Sequence, residues 1–139
     1  MSGYKFYLKK QYKKARTGLI KTSLGDIKTP AFMPVATQGA VKSTPINIIE
    51  EIGYEMILSN TYHNILRPGL KTIKNFKNLS NFMDWNKPIL TDSGGFQVMS
   101  LSKLRKINKK GVIFQSHIDG SSHELTPENV VETQNIIGS

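Results

Sequence analysis

The chain contains no cysteine, so neither a disulfide framework nor a thiolate metal site can form within it, and its redox compartment stays open. No apolar run approaches the roughly 18 residues of a membrane span, and residues 1–14 lack the apolar core of a signal peptide. A soluble, cytoplasmic protein with no membrane partner is the expectation. Acidic residues are scarce: ten Asp and Glu stand against nineteen Lys and Arg, a net charge of +9 and a pI near 9.8. An excess of that size suits a polyanionic partner. The cations gather at Lys5, Lys9, Lys10, Lys13, Lys14 and Arg16, and again at Lys103, Arg105, Lys106, Lys109 and Lys110. The plainer reading of either run is a solvated charged face. There is also no internal repeat or low-complexity linker, hence no sign of a domain boundary.

What is present is enough apolar material for one core, 38% of 139 residues. The chain is organised around Pro88-Ile89-Leu90-Thr91-Asp92-Ser93-Gly94-Gly95-Phe96. Ile89-Leu90-Thr91 reads as a short buried strand that Asp-Ser-Gly-Gly cannot prolong, so Asp92 falls at a strand's C-terminal end. In parallel α/β architectures that edge carries the chemistry. Gly94 and Gly95 permit positive φ or close approach to a flat ligand, and Phe96 offers a ring to stack on it. The same residues also make an ordinary turn, with Asp92 as an Asx-turn residue and Phe96 returning to the core. Residue types alone leave both readings open.

The chain in order reads as alternating strands and helices. Residues 1–14, basic and aromatic, suggest an edge strand with its aromatics packed inward, or an RNA-facing arm. Residues 15–35 suggest a hairpin turning at 23–26, with 31–35 as the first core strand and 36–41 as a loop. Ser43-Thr44-Pro45 should open a hydroxyl-capped helix with Ile46, Ile49 and Ile52 on one face and Gly53 at its end. Residues 55–58 then complete a strand, helix, strand unit of the kind that builds parallel sheets.

Residues 59–63 read as a polar loop in which His63, without an evident carboxylate partner, is a structural hydrogen bonder more than an acid or base. After a turn at Arg67-Pro68-Gly69, two helical stretches carry Leu70, Ile73 and Phe76, then Leu79, Phe82, Met83 and Trp85, all at core spacing. Residues 101–110 look irregular. Residues 111–118 and 123–125 suggest a hairpin, with His117 and His123 as cross-strand polar neighbours, since no third metal ligand is evident. Thr126-Pro127-Glu128 opens a capped helix with Val130, Val131, Ile136 and Ile137 as its apolar positions.

Thr91 to Ser100, together with Met33-Pro34-Val35, Ser59-Asn60-Thr61-Tyr62-His63 and Leu66-Arg67-Pro68-Gly69, resembles the tRNA-guanine transglycosylases, the queuine tRNA-ribosyltransferases. Several separated blocks in one order are more specific than one loop. The resemblance implies the N-terminal part of a TIM-type (β/α)8 barrel preceded by a β-hairpin. A whole barrel needs about 250 residues, so residues 1–139 are expected to be one portion of a single barrel domain, truncated at the C-terminus and inactive alone.

The implied activity is a pentosyl transfer in queuosine biosynthesis. Guanine at the anticodon wobble position of tRNA is exchanged for a 7-deazaguanine, queuine or its aminomethyl precursor. By the same resemblance Asp92 is the catalytic proton acceptor and donor, and Asp92, Ser93, Gly94, Gly95 and Phe96 bind the base. The family's nucleophilic carboxylate and its zinc ligands match no residue of this chain, so no metal ligand is assigned here. The implied partners are tRNA, the free base and a second subunit in a dimer. A non-catalytic tRNA-binding subunit and an archaeosine-type enzyme are the alternatives.

Overall fold

Strands and helices are mixed along the described residues, with strands in runs towards either end of the order and alternation with helices between them, giving a mixed α/β chain. The computed structural model describes residues 4–101 and 104–139. Lys103, part of the second basic run, lies outside them. No helix among the described residues is long and apolar enough to cross a membrane.

The first sheet is an antiparallel meander of β1 (Lys5–Tyr12), β2 (Ala15–Thr22) and β3 (Gly25–Thr29). Thr22 pairs with Gly25, so the β2–β3 turn is only Ser23-Leu24, tighter than expected. The inward packing expected for the aromatics of β1 is not found: every residue of this strand is exposed. Among the described residues the strand pairs only with β2, and the Phe6 ring lies across Gly18, where a Cβ would collide with it.

The second sheet has the order β5-β4-β6-β7, with β4 (Val35–Thr37), β5 (Ala40–Val41), β6 (Ile57–Ser59) and β7 (Ile89–Thr91). Strands β4, β6 and β7 run parallel, and β5 is antiparallel to β4. Residues 31–34 are not a strand, contrary to expectation. Pro34 has no N–H to give a ladder, and Phe32 is 72% exposed. Residues 36–41 are a hairpin rather than a loop, closed by Gln38 and Gly39 with φ of 58° and 70°, the twist that two-residue hairpins favour.

Helix α1 (Ile46–Ile52) joins this sheet's first strands to β6 and ends at Gly53, φ 94°. Its start carries Pro45 and no side-chain cap, so the expected hydroxyl cap does not form. Ile49 is buried and Ile52 is exposed, so the apolar face is narrower than its spacing suggests.

After β6 the chain turns at once into α2 (Thr61–Asn64), then breaks where Arg67 is extended (φ −154°, ψ 123°), and resumes as α3 (Leu70–Asn75) and α4 (Leu79–Met83). Residues 61–63 are therefore helical, not loop. Ile57, Ile73, Leu79, Trp85 and Ile137 are fully buried in one core, and Trp85 Nε1 donates to the Pro88 carbonyl at 3.2 Å. Phe76, by contrast, is exposed and meets Phe82 edge-on.

Helix α5 (Gly95–Leu101) follows β7, and a third, antiparallel sheet of β8 (Arg105–Ile107), β9 (Val112–Gln115) and β10 (Ser122–Leu125) precedes α6 (Pro127–Ile137). The presence of β8 corrects the irregular reading of 101–110. Backbone pairing of Arg105 with Phe114 and Ile107 with Val112 forms a strand whose residues are themselves exposed. Tyr62, Val98, Phe114 and Leu125 form a second core between α2, α5 and this sheet. Thr126 and Asn129 cap α6 reciprocally, at 2.8 and 3.2 Å, as the sequence suggests.

Candidate active site

The parallel register sets Ile57 beside Ile89 and Ser59 beside Thr91. The residues that follow those strand ends, Asn60 and Asp92, are therefore neighbours at the C-terminal edge. Asn60 Nδ2 donates to Asp92 Oδ2 at 2.8 Å. The Thr61 amide donates to Oδ1 at 2.9 Å, and the Gly94 amide to the same oxygen at 3.1 Å. The Asp92 carbonyl in turn accepts from Thr61 Oγ1 at 2.5 Å and from Gln134 Nε2 of α6 at 3.0 Å. Two strand ends, the start of a helix and a residue 42 positions away thus hold one carboxylate and its backbone.

The rest of the loop divides by role. Gly94 is buried with φ 76°, and a Cβ there would sit 3.0 Å from the Tyr62 amide nitrogen, so both conformation and space require glycine. Gly95 has no positive φ and starts α5. Ser93 is exposed, its Oγ facing the Gly95 amide at 3.4 Å. Phe96 is 78% exposed, so the ring does not return to the core. The structure brings Asp92, Ser93, Gly94, Gly95 and Phe96 onto one edge, with Asp92 alone firmly tethered by its side chain.

Beside them stands an aromatic cluster. The buried Tyr62 hydroxyl lies 2.9 Å from His117 Nδ1, with the two rings stacked at 5.8 Å. His63 meets Tyr62 edge-on at 5.2 Å and His117 at 6.4 Å. Burial, then the neighbouring His117, pull the His63 pKa below its usual 6.5, with Asp92 opposing them. His63 Nδ1 is buried without a partner. Burial likewise raises the Tyr62 phenol. His63 therefore does sit in the field of a carboxylate, which its sequence surroundings do not reveal.

His117 and His123 are not cross-strand neighbours. His123 pairs with Phe114, stacking at 5.5 Å, and bonds Ser121 at 2.8 Å, while His117 turns to Tyr62. Among the described residues no three His, Cys, Asp or Glu gather as a metal site. With no such group among the described residues, these histidines do not fit the zinc that the resemblance implies.

Asn60, Thr61, Gln134 and Tyr62 are the site residues that sequence reasoning did not single out. Asn60 and Thr61 lie in one of the blocks that carry the resemblance, where a polar pair directly after a buried strand is the available signal. Gln134 leaves no local signal.

A family model described as queuine tRNA-ribosyltransferase matches residues 11–139. Proteins named queuine tRNA-ribosyltransferase from Rickettsia bellii (strain RML369-C) and Rickettsia prowazekii (strain Madrid E) are 54% and 53% identical to the chain over all 139 residues, which cover 39% and 38% of those proteins. The Rickettsia felis protein of that name is 53% identical over the same span, 38% of its length. The chain thus spans about two fifths of these relatives. A match along nearly all of its length, through the strand ends that hold Asp92, leads to one conclusion: the chain belongs to the queuine tRNA-ribosyltransferase family.

Proposed function

We propose that this chain is the acid–base half of a tRNA-guanine transglycosylase, which exchanges guanine at the anticodon wobble position for a 7-deazaguanine. The observation that carries the reading is Asp92, held by three N–H donors at the C-terminal edge of a parallel sheet. A carboxylate has about four acceptor sites. Three are taken, so about one remains for a heterocycle. A departing guanine needs a proton as its glycosidic bond breaks, and the incoming base must lose one before it attacks ribose. A single carboxyl group within hydrogen-bond reach of both bases, entering the cycle as the acid, can give the first proton, become the carboxylate and take the second, which restores the acid. The exposed Phe96 ring and the Ser93–Gly95 backbone are the complementary surface for a purine plane.

A covalent ribosyl stage, as in retaining glycoside chemistry, needs a second carboxylate. No residue of this chain is assigned that role. Three adjacent parallel strands with the loops of interest at one end support reading residues 1–139 as the hairpin and first units of one (β/α)8 barrel. Zinc, a dimer partner and a cytoplasmic setting belong to this reading through the family alone. A non-catalytic subunit is not favoured, because Asp92 and its three donors are all in place.

The test is Asp92→Asn in the full-length protein. Base exchange should fall by about 10² or more, the scale for a general acid or base, while melting temperature and tRNA binding stay near wild type. Wild-type exchange in that variant would sink the assignment.

A further inference from the structure

The charge of this molecule is divided between two ends. Residues 1–25 and residues 93–118 contain no Asp or Glu at all, yet hold seven and five Lys or Arg. The first stretch supplies β1 and β2, and the sheet they form with β3 is tied to Glu55. The Lys28 amide donates to Glu55 at 2.5 Å, and Lys28 Nζ pairs with it at 3.4 Å. Glu55 precedes β6, so this sheet meets the parallel sheet at the strands' N-terminal ends, away from Asp92.

The second stretch lies at the other end. It runs from the Asp92 loop through α5 into the β8–β9 hairpin, whose Phe114 packs on Tyr62 and Val98, the neighbours of Thr61 and Phe96. The tip is held rigid: Asn108 Oδ1 accepts from the Lys110 and Gly111 amides at 2.7 and 3.0 Å, and the Asn108 amide donates to the Gly111 carbonyl at 2.9 Å. Lys106, Lys109 and Lys110 are all exposed and pair with no carboxylate among the described residues.

Between this hairpin and α5 lies an open groove of about 350 Å³. Val98, Met99 and Ile107 line it with apolar surface, Lys109 and Lys110 line it with charge, and Gly95, three residues after Asp92, lines it too. Such a volume is at the small end of ligand sites, room for one unstacked nucleoside and not for a duplex. RNA is read mainly through splayed bases with cations on the flanking phosphates.

We propose that the β8–β9 hairpin and this groove seat a nucleotide adjacent to the exchanged guanine, with Lys106, Lys109 and Lys110 on its phosphates. The proposal rests on the base-exchange reading above and adds a point of substrate recognition to it. Specificity for RNA over other polyanions comes from the apolar groove beside the cations, and the N-terminal basic sheet plays no part.

The experiment compares two triple variants in the full-length protein, Lys106→Gln/Lys109→Gln/Lys110→Gln and Lys9→Gln/Lys10→Gln/Lys13→Gln, by steady-state exchange and by tRNA binding across a salt series. The hairpin triple should raise the KM for tRNA about tenfold with kcat little changed. It should also flatten the plot of log affinity against log salt by about 0.7 for each phosphate that a lysine no longer neutralises. Replacement of the same three residues by Arg should restore both. The N-terminal triple should leave both near wild type. Equal effects from the two triples, or an unchanged salt slope in the hairpin triple, would overturn the proposal.

A tRNA carrying a photoreactive thiouridine next to the target guanine should crosslink to Met99 or to residues 104–112. Crosslinks confined to other segments would overturn it too. A wild-type protein that shows the hairpin-dependent slope but exchanges no guanine would sink the base-exchange reading and leave this surface standing.

Discussion

Phe96 and His63 show how differently two residues near one carboxylate can behave. With 78% of its surface exposed, Phe96 contributes little to the fold of the described residues, which leaves its ring open to a ligand. Phe96→Tyr should be nearly silent. Phe96→Ala should weaken base binding by about 1 to 3 kcal/mol, the scale of base–aromatic stacking, with the melting temperature unchanged. A stability loss with normal base binding, read by calorimetry and titration of the free base, would instead make the ring a structural one.

His63 is the reverse case, a partly enclosed ring whose pKa is pushed down by burial and then by His117, against the pull of Asp92. Its pKa is lowered in the folded chain, so between that value and about 6.5 the unfolded chain binds more protons. Stability is therefore fully present above about pH 6.5 and declines as the pH falls through the folded value. His63→Gln should flatten the melting temperature against pH below 6.5, and an unchanged profile would assign the acid limb to another group.

At the scale of elements, the legible parts were those with strong local chemistry. The Thr126 cap and Pro127 announce α6, and the passage from Ile89-Leu90-Thr91 to Asp-Ser-Gly announces β7 and the position of Asp92. Three features escaped for physical reasons. Thr61-Tyr62-His63-Asn64 has no apolar period, because α2 is buried on polar atoms as well as apolar ones: Asn64 Nδ2 reaches the Ser59 hydroxyl at 2.7 Å. Strand β8 is hidden by its own charge, since its pairing is carried by the backbone while its side chains face water. The clamp on Asp92 depends on the register of two parallel strands and on Gln134 far along the chain, and neither can be read from a local window.

Two glycines make the element scale testable. A Cβ at Gly94 would demand φ near +76° and crowd Tyr62, so Gly94→Ala should cost about 1 to 3 kcal/mol of stability. It should also lower kcat by displacing the amide that holds Asp92. Gly111 passes so close to the Leu125 carbonyl that any Cβ would strike it. Gly111→Ala should therefore loosen the β8–β9 hairpin, seen as faster amide exchange at residues 105–115, while guanine exchange with saturating tRNA keeps its kcat. Equal protection in both proteins would show that the two backbones can part at little cost.

Across the whole molecule, the sheet order β5-β4-β6-β7 leaves one side of β7 without a partner strand among the described residues. Leu90 on that strand is exposed, as are Phe96 and Met99 on the helix that follows and Val35 on β4. An unpaired strand edge beside exposed apolar side chains is a template for pairing between molecules. The +9 charge opposes this at long range, but its two acid-free stretches lie in the β1–β3 sheet and in the segment from the Asp92 loop to β9, not on β7. Screening by salt removes the repulsion and leaves the apolar attraction intact. The 139-residue chain made by itself should therefore associate, and more so as salt rises, with light scattering and binding of a hydrophobic dye increasing together. Leu90→Lys should reduce both by placing a charge on the open edge. A chain that stays monomeric at high salt, with no difference between wild type and Leu90→Lys, would show that the β7 edge is already covered.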